Sequence, residues 1–410
     1  MKSTENLGDV EKREKMPLTG SKELMRSINE KMILREIFLS QKIDRASLAR
    51  KTGISAATVT KIVTELIDEG LIMEVGESTS TGGRKPILLC MNHAYGNILG
   101  VKIGLGYLQL VIANLTGAVV TKQRINFGEN SEPVKISKLI KQFVEDQNRN
   151  HLVGASVAVS GSVDSTNGVV LDSFILGWKN VKLGEILSKQ LKVPVYIMND
   201  VDSFTTTHLW KGKLTNCKDA LVITLGVGIG GSLVVDGNLY TGHGGAGEVG
   251  HMTVRENGNR CNCGNLGCLE AEAGFGALVT KIYAKTKNQE LLATYKNFQN
   301  TEMSEMDFIK LALKEDSKVT GEVFEEYAML VGIALKNLIN IFAPEYLLIG
   351  GEALEFSGHF LEKAINYAKK NAFGNLGKRV TFDVDNFGEE AWTLGGVYKV
   401  IQEEMFAIKG

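Results

Sequence analysis

Residues 247–268 read GEVGHMTVRENGNRCNCGNLGC, and this stretch is the most informative part of the 410-residue sequence. It contains one histidine and three crowded cysteines: His251, Cys261, Cys263 and Cys268. One imidazole and three thiolates complete a tetrahedral zinc shell and leave no position for a reactive water, which is typical of a structural site. Gly264 and Gly267 allow the loop to wrap tightly around an ion. The stretch therefore predicts one structural Zn²⁺ per chain, and the alternative is three free cysteines that coincide by chance.

Composition places the rest of the chain among ordinary globular proteins. Hydrophobic residues make up 44% and charged residues 23%, and the formal net charge is -1. Any nucleic-acid binding must therefore come from a local patch rather than from bulk charge. The sequence has no apolar run long enough for a bilayer and no signal-peptide pattern at its start, so we expect a cytoplasmic protein without membrane contact.

The N-terminal region has the pattern of a helix-turn-helix. Apolar residues recur at helical spacing from Ser21, a second helix is predicted over Arg45–Thr52, and Gly53 provides a turn. Ser55 caps a third helix that runs to about Glu69. The exposed start of this helix carries small or polar residues that suit entry into the major groove and contact with bases and phosphates. These candidate DNA-binding residues are Ser55, Ala56, Ala57, Thr58 and Lys61.

Two strand-like segments, 71–75 and 86–91, follow this helix and predict a β-hairpin. Its tip, residues 80–85, reads STGGRK, which is a glycine-rich and basic wing. Arg84 and Lys85 are suited to contact phosphates or a narrow minor groove. The pattern favours a winged helix-turn-helix DNA-binding domain, and the alternative is a helical module that contacts another protein.

Beyond His93 the sequence alternates between buried strands and amphipathic helices, which predicts an α/β architecture. The predicted strands are 97–113, 155–159, 195–198, 220–224 and 346–349. Predicted helices include 134–147 and 322–342, whereas the polar segment 289–302 is expected to be a surface connection. The glycine-rich turn 225–231 follows a strand and could bring backbone N–H groups close to a phosphate.

Polar residues follow one of these strands and flank the cysteine loop. Asn199 and Asp200 end the strand 195–198, where α/β folds bind their ligands. Glu248, His251 and Glu270 lie beside the predicted metal site. Carboxylates, an amide and an imidazole that converge on a cleft can satisfy several sugar hydroxyls.

Taken together, these motifs resemble the ROK family, which contains sugar kinases and sugar-responsive repressors; the xylose-repressor and NagC/Mlc-like members are the most similar subgroup. The resemblance covers the chain from about residue 19 to its end. It implies an actin-like (ribonuclease H-like), two-lobed sugar-kinase fold behind the winged helix-turn-helix. It also implies that the sugar cleft uses Asn199, Asp200, Glu248, His251 and Glu270, with one ring nitrogen of His251 on zinc and the other on a sugar hydroxyl.

The same resemblance suggests the domain boundaries. Residues 1–18 are expected to be a flexible tail, 19–92 the DNA-binding domain and 93–410 the sugar-binding domain. Within the latter, the first lobe is expected to span about 93–210 together with a C-terminal helix at about 390–410. The second lobe, about 211–389, carries the zinc loop.

Several residues depart from the pattern of the kinase members. Those enzymes carry an Asp-x-Gly-Gly-Thr loop for ATP phosphate and metal, but here the corresponding residues are Lys102, Leu105 and Gly106. Val227 replaces a threonine of the second phosphate loop, and Ile175 replaces a sugar-contacting asparagine. Mg²⁺ needs oxygen ligands that a lysine cannot supply. Although an aspartate at the position of Asp200 is the general base in the kinases, we predict that this chain has no catalytic residue.

The sequence thus predicts a DNA-binding repressor of carbohydrate-utilisation genes whose operator binding is modulated by a monosaccharide such as xylose or glucose. A homodimer or a dimer of dimers on palindromic operator DNA is expected, because one short helix reads too few base pairs. The alternative is an active, ATP-dependent ROK sugar kinase with an added DNA-binding domain. A DNA-bound scaffold without a ligand is a third possibility, which the polar cleft disfavours.

Overall fold

The computed structural model describes residues 22–77, 86–128, 132–147, 151–298 and 303–408. These residues fall into two compact units. The first contains the residues up to 92 together with those from 405 onward, and the second contains residues 93–404. Among the described residues, no helix combines the length and the apolar composition needed to span a bilayer.

The first unit is a three-helix domain with a small antiparallel sheet in the order β1-β3-β2. Its core consists of apolar residues from all three helices and from the sheet, including Leu34, Leu48, Val63 and Leu89. Its elements are α1 (Lys22–Ser40), β1 (Ile43–Asp44), α2 (Arg45–Thr52), α3 (Ala56–Asp68), β2 (Ile72–Glu77) and β3 (Ile87–Met91).

The predicted turn between α2 and α3 is confirmed, and its local chemistry explains it. Asp44 caps α2 by accepting the N–H of Ser47 at 2.9 Å, and Gly53 ends this helix with a left-handed backbone. Ser55 then caps α3 by accepting the N–H of Thr58 at 3.3 Å. The predicted hairpin forms through β2 and β3, whereas the wing tip with Arg84 and Lys85 lies outside the described residues.

The second unit contains thirteen strands and eleven α-helices among its described residues. The strands are β4 (Asn97–Gly104), β5 (Tyr107–Asn114), β6 (Val119–Asn126), β7 (Leu152–Val159), β8 (Ser162–Asp164), β9 (Val169–Ser173), β10 (Trp178–Val181), β11 (Val195–Asn199), β12 (Ala220–Leu225), β13 (Ile229–Val235), β14 (Asn238–Tyr240), β15 (Tyr346–Gly350) and β16 (Thr381–Val384). The helices are α4 (Pro133–Asp146), α5 (Leu183–Leu191), α6 (Asp200–Lys211), α7 (Leu269–Ala273), α8 (Phe275–Lys285), α9 (Gln289–Asn297), α10 (Glu305–Glu315), α11 (Ser317–Phe342), α12 (Ser357–Asn371), α13 (Leu376–Arg379) and α14 (Ala391–Ile401).

Two five-stranded sheets with the same topology organise this unit. The first has the order β6-β5-β4-β7-β11 and the second the order β14-β13-β12-β15-β16. In each sheet three successive strands pair antiparallel, and the first of them pairs parallel with a strand that follows a helical connection. The two sheets agree in strand order and in strand direction at every position, which indicates two related lobes. This agreement confirms the predicted two-lobed α/β architecture.

Two expectations from the sequence were wrong in detail. The segment 97–113 is not one strand but the hairpin β4–β5, which turns at Leu105 and Gly106, where the latter has a φ of 75°. Both strands are apolar, so hydrophobicity alone does not reveal the turn. The segment from 289 is not a simple surface connection, because it forms α9, which Asn288 caps and whose Leu291 is buried.

The end of the chain belongs to the first unit. Helix α14 ends at Ile401 and continues as a π-helical turn to Phe406. The ring of Phe406 packs edge-on against Phe38 of α1, with 5.6 Å between the ring centroids. The C-terminal helix predicted at about 390–410 thus corresponds to α14 and this π-helical turn.

Candidate functional site

The four predicted metal ligands lie together. The ligand atoms of His251, Cys261, Cys263 and Cys268 are all within 4.8 Å of one another. The Sγ atoms of Cys263 and Cys268 are 3.7 Å apart, and Nδ1 of His251 is 3.5 Å from Sγ of Cys261. Two thiolates on one tetrahedral zinc, each about 2.3 Å from the ion, are separated by roughly 3.8 Å. The cysteines are free of disulfides, so this cluster can hold one four-coordinate metal ion.

Glycines shape the cysteine loop. The backbone N–H of Cys261 donates to the carbonyl of Asn265 at 2.8 Å, which closes a tight turn around Gly264. Both Gly264 and Gly267 have positive φ angles, of 96° and 71°. A Cβ atom at Gly267 would also collide with the backbone carbonyl of Arg255. Only glycine fits these positions without strain, so the spacing of the cysteines depends on them.

A buried charge network supports this loop from behind, and the sequence analysis missed it. The Glu272 side chain is fully buried and accepts the backbone N–H of Asn259. Its second oxygen lies 3.3 Å from Arg255 and 3.8 Å from Lys281, and both of these cations also contact Glu326. A buried carboxylate is tolerated only when such partners compensate it.

The predicted sugar residues converge beside the metal cluster. Asp200 begins α6, Glu270 lies in α7, and Glu248 precedes the short helical turn that ends at His251. Nε2 of His251 is 3.9 Å from the Glu248 carboxylate, on the side of the ring opposite the cysteines. Burial raises the pKa of Glu248, the His251 ring opposes this shift, and the nearby carboxylates of Asp200 and Glu270 add to it. These neighbouring side chains are hydrogen-bond acceptors, which suit a ligand rich in hydroxyl groups.

Asn199 has a structural task that the sequence did not reveal. Its Oδ1 accepts the N–H groups of Val201 and Asp202 at 2.8 and 3.1 Å, so it caps α6. Its amide donates to the carbonyl of Gly161 at 2.9 Å. These contacts hold the start of α6, and with it Asp200, at the carboxyl end of β11.

Asp202 is a further acidic group that the sequence analysis missed. Its side chain is buried and accepts a hydrogen bond from Ser232 at 2.8 Å. Burial raises the pKa of Asp202 to about 7, with contributions from the carboxylates of Asp200 and Glu248 and against the effect of the Ser232 bond. Burial thus favours the neutral form of this carboxyl group.

The first unit presents the predicted DNA-binding face. Ser55, Ala56, Ala57 and Lys61 are exposed on α3, whereas Thr58 is half-buried and its Oγ1 lies 2.9 Å from the Ser55 hydroxyl. The same face continues through two exposed threonines that the sequence analysis did not select, Thr60 and Thr64. Their positions follow Ala57 at intervals of three and seven residues, so helical spacing could have found them.

A family model matches most of the second unit. Residues 98–403 match the ROK family, which is well over half of the chain. The chain belongs to the ROK family. Residues 26–73 match the winged helix-turn-helix DNA-binding family, which agrees with the fold of α1 to β2.

Relatives that align with most of this ROK protein are named as repressors or as a transcriptional regulator. The chain is 31% identical to the xylose repressor of Caldicellulosiruptor bescii over 391 residues, which cover 94% of this chain and 98% of that protein. It is 27% identical to the xylose repressor of Bacillus subtilis, over 90% of this chain and 94% of the relative. It is also 27% identical to the DNA-binding transcriptional dual regulator NagC of Escherichia coli, over 86% and 88%.

Solved structures confirm the predicted fold of this ROK protein. A ROK family transcriptional regulator described as a homolog of the Escherichia coli MLC protein superposes with a TM-score of 0.77 at 25% identity, covering 93% of this chain and 97% of that one. A ROK family glucokinase from Streptomyces griseus, solved with glucose and AMPPNP, gives a TM-score of 0.62 at 23% identity. The glucokinase match covers 74% of this chain and 99% of the enzyme, and it concerns the fold alone.

Lys102, which the sequence analysis aligned with the first phosphate loop of the kinases, forms a buried ion pair in this ROK protein. Nζ of Lys102 lies 3.8 Å from the Asp200 carboxylate and 3.3 Å above the centre of the Trp392 ring. Leu105, in the turn that follows, exposes an apolar side chain.

Carboxylates flank the second glycine turn, which the sequence analysis considered for phosphate binding. Glu270 accepts the backbone N–H of Ile229 at 3.0 Å, and the Glu352 carboxylate lies against Gly226. Val227, between them, exposes an apolar side chain. A phosphate at this turn would meet two negative charges and one backbone N–H that is already bonded, which disfavours it.

Proposed function

We propose that this ROK protein is a DNA-binding transcriptional repressor of carbohydrate-utilisation genes, and that a monosaccharide such as xylose or glucose modulates its operator binding. The observation that carries this proposal is the combination, in the second unit, of clustered acceptor side chains with charged groups at the two glycine turns. The acceptors suit a sugar, whereas Lys102 and the carboxylates at the second glycine turn oppose ATP–Mg²⁺. In this proposal the winged helix-turn-helix binds the operator DNA.

In this proposal Asp200, Glu248 and Glu270 accept hydrogen bonds from sugar hydroxyls. Nε2 of His251 and the remaining amide proton of Asn199 add two further polar contacts. Buried acceptors of this kind discriminate strongly, because a ligand that lacks the matching hydroxyl leaves them unsatisfied.

We assign the cluster His251, Cys261, Cys263 and Cys268 to one structural zinc ion per chain. Three thiolates and one imidazole are ligands that zinc prefers, and all four positions of a tetrahedron are filled by the protein. The ion would cross-link the loop, and it would thereby orient His251 and the start of α7, which carries Glu270. The zinc site would thus support the sugar cleft rather than supply chemistry.

We propose that sugar binding and DNA binding are coupled because two conformations of the protein differ in their affinity for the sugar. A sugar that binds one arrangement of the lobes more tightly shifts the population toward it. In a homodimer or a dimer of dimers on a palindromic operator, such a shift changes the spacing of the two recognition helices. In addition to α3, the wing residues Arg84 and Lys85 are assigned to DNA in this proposal.

The decisive experiment compares the repressor with its alternative, an active sugar kinase. We expect a monosaccharide to change operator affinity in fluorescence anisotropy with no nucleotide present. We also expect no ADP release above background in a coupled assay over pentoses and hexoses, because a general base acts only on a positioned phosphoryl group. Turnover near or above about 1 s⁻¹, the range of kinases, would instead establish the enzyme.

The surface of α3 can be tested by separating base recognition from phosphate contact. We expect Thr58→Ala to weaken binding to the operator by about 1–3 kcal/mol, because contacts with particular base pairs are lost. Binding to random DNA should remain almost unchanged. Lys61→Ala should weaken binding to both duplexes and lower the log–log salt slope by about one unit per lost phosphate contact.

Anisotropy at several salt concentrations, on operator and scrambled duplexes, measures both effects. Circular dichroism serves as the control, because Thr58 also contacts the cap of α3. If both variants bound both duplexes like the parent, the assignment of this face to DNA would be wrong.

A further inference from the structure

Lys102 is a buried lysine in the central strand of the first five-stranded sheet. It lies in β4, opposite Gln109 of β5 and Ala158 of β7, and its side chain is only 9% exposed. An ammonium group in such a place is unfavourable unless nearby groups compensate its charge. Trp392 provides one such group, since its ring face lies 3.3 Å from Nζ, and Asp200 provides a second at 3.8 Å.

The charges around Lys102 come from separate parts of the chain. Burial lowers the pKa of Lys102, and the carboxylates of Asp200, Glu352 and Glu389 oppose this effect, while Arg124 adds to it. Asp200 begins α6, Glu352 follows β15, and Glu389 precedes α14. Glu352 and Glu389 are exposed, so water screens their charges, whereas the Asp200 side chain is only 14% exposed. Without the ammonium group, the Asp200 carboxylate would therefore be the one left without a nearby positive charge.

We propose that Lys102 is the built-in counter-ion of the sugar site, which holds the Asp200 carboxylate in place as a hydroxyl acceptor and makes sugar binding independent of divalent cations. The inference rests on the proposed sugar site. Lys102 acts as a positioning residue in it, because its ammonium group is engaged by Asp200 and Trp392 rather than by the ligand. A single buried side chain thereby supplies the positive charge beside Asp200.

The test compares Lys102→Met with Lys102→Arg and with a control lysine of the same sheet. Methionine keeps an apolar stem beside Trp392 but removes the charge, whereas arginine keeps the charge. Lys122 of β6 also pairs with a carboxylate, that of Glu390 at 2.6 Å, but its side chain is 65% exposed. Lys122→Met should therefore leave sugar binding unchanged.

Calorimetric titration with a monosaccharide panel, with and without millimolar Mg²⁺, gives the readout. We expect the parent affinity to be the same in both buffers. Lys102→Met should bind the sugar at least about tenfold more weakly without Mg²⁺, because the acceptor loses its counter-charge, and Mg²⁺ should restore much of this loss. Lys102→Arg should retain more affinity than Lys102→Met. A purely structural role for Lys102 would not produce rescue by a cation.

Binding of Mn²⁺ alone, followed by its electron paramagnetic resonance signal, provides a second measurement that needs no sugar. Lys102→Met should acquire one Mn²⁺ site that the parent lacks. A parent that binds sugar more tightly with Mg²⁺, or a Lys102→Met variant with parental affinity, would overturn the proposal. If the parent bound no sugar, the proposed function would be wrong, and the Mn²⁺ measurement alone would then decide whether Lys102 is a counter-ion.

Discussion

Replacing Asp200 by asparagine is expected to weaken the response to sugar strongly while leaving operator binding intact. The Asp200 side chain is 14% exposed and lies 3.8 Å from the Lys102 ammonium group. Asparagine has nearly the same shape, but it removes the negative charge and can place an N–H group against that cation. The loss of a buried charged acceptor costs about 1–3 kcal/mol of sugar binding, which is a drop in affinity of roughly 5- to 150-fold.

A sugar titration of the operator complex, followed by fluorescence anisotropy, measures this change. Asp236→Asn is a matched control, because Asp236 is exposed in the turn between β13 and β14, away from the cleft residues. The control should respond to sugar like the parent, and both variants should bind the operator with parental affinity in the absence of sugar. An Asp200→Asn protein with an unchanged sugar response would place the effector site elsewhere.

The second large effect is expected from Cys268→Ser. Cys268 is fully buried, and Glu270 follows two residues later. Loss of this thiolate opens the tetrahedral shell, and in small zinc domains such sites contribute on the order of 10 kcal/mol of folding free energy. Because the second lobe also has a large apolar core, including Val249 and Leu269, we expect a smaller loss here, of about 3–5 kcal/mol, together with loss of the sugar response.

Elemental analysis and thermal unfolding measure these two consequences. The parent should contain one zinc per chain, whereas Cys268→Ser should contain much less and should unfold at a lower temperature. Cys217→Ser is the control, since Cys217 is a half-buried cysteine outside the cluster, and it should retain both zinc and sugar response. A metal-free parent with normal sugar binding would contradict the assignment of a structural zinc.

The helix-turn-helix could be predicted from the sequence because short-range contacts define it. The caps at Asp44 and Ser55 and the left-handed glycine at Gly53 involve contacts between residues at most a few positions apart. The candidate metal ligands could be predicted for a similar reason. Three of the four lie within eight residues, and crowded cysteines with a nearby histidine are typical of metal binding.

Errors arose where local patterns are ambiguous. A continuous apolar run from Asn97 concealed the turn of the β4–β5 hairpin, because both strands are buried and differ little in composition from one long strand. The polar segment from Gln289 concealed α9, because a short helix with one buried leucine is mostly polar.

The sequence by itself determined the residue types of the site, the Ser55 cap of α3 and the candidate ligands of the metal cluster, since these depend on neighbours along the chain. Only the tertiary structure decided the matched topology of the two sheets, the burial of Asp202, and the contact of Lys102 with Asp200 and Trp392. Trp392 lies 290 positions after Lys102, and the two meet because α14 packs against β4. Helix α6, which begins with Asp200, packs in turn against α14. Charge compensation in a buried site depends on such long-range contacts, and no local pattern encodes them.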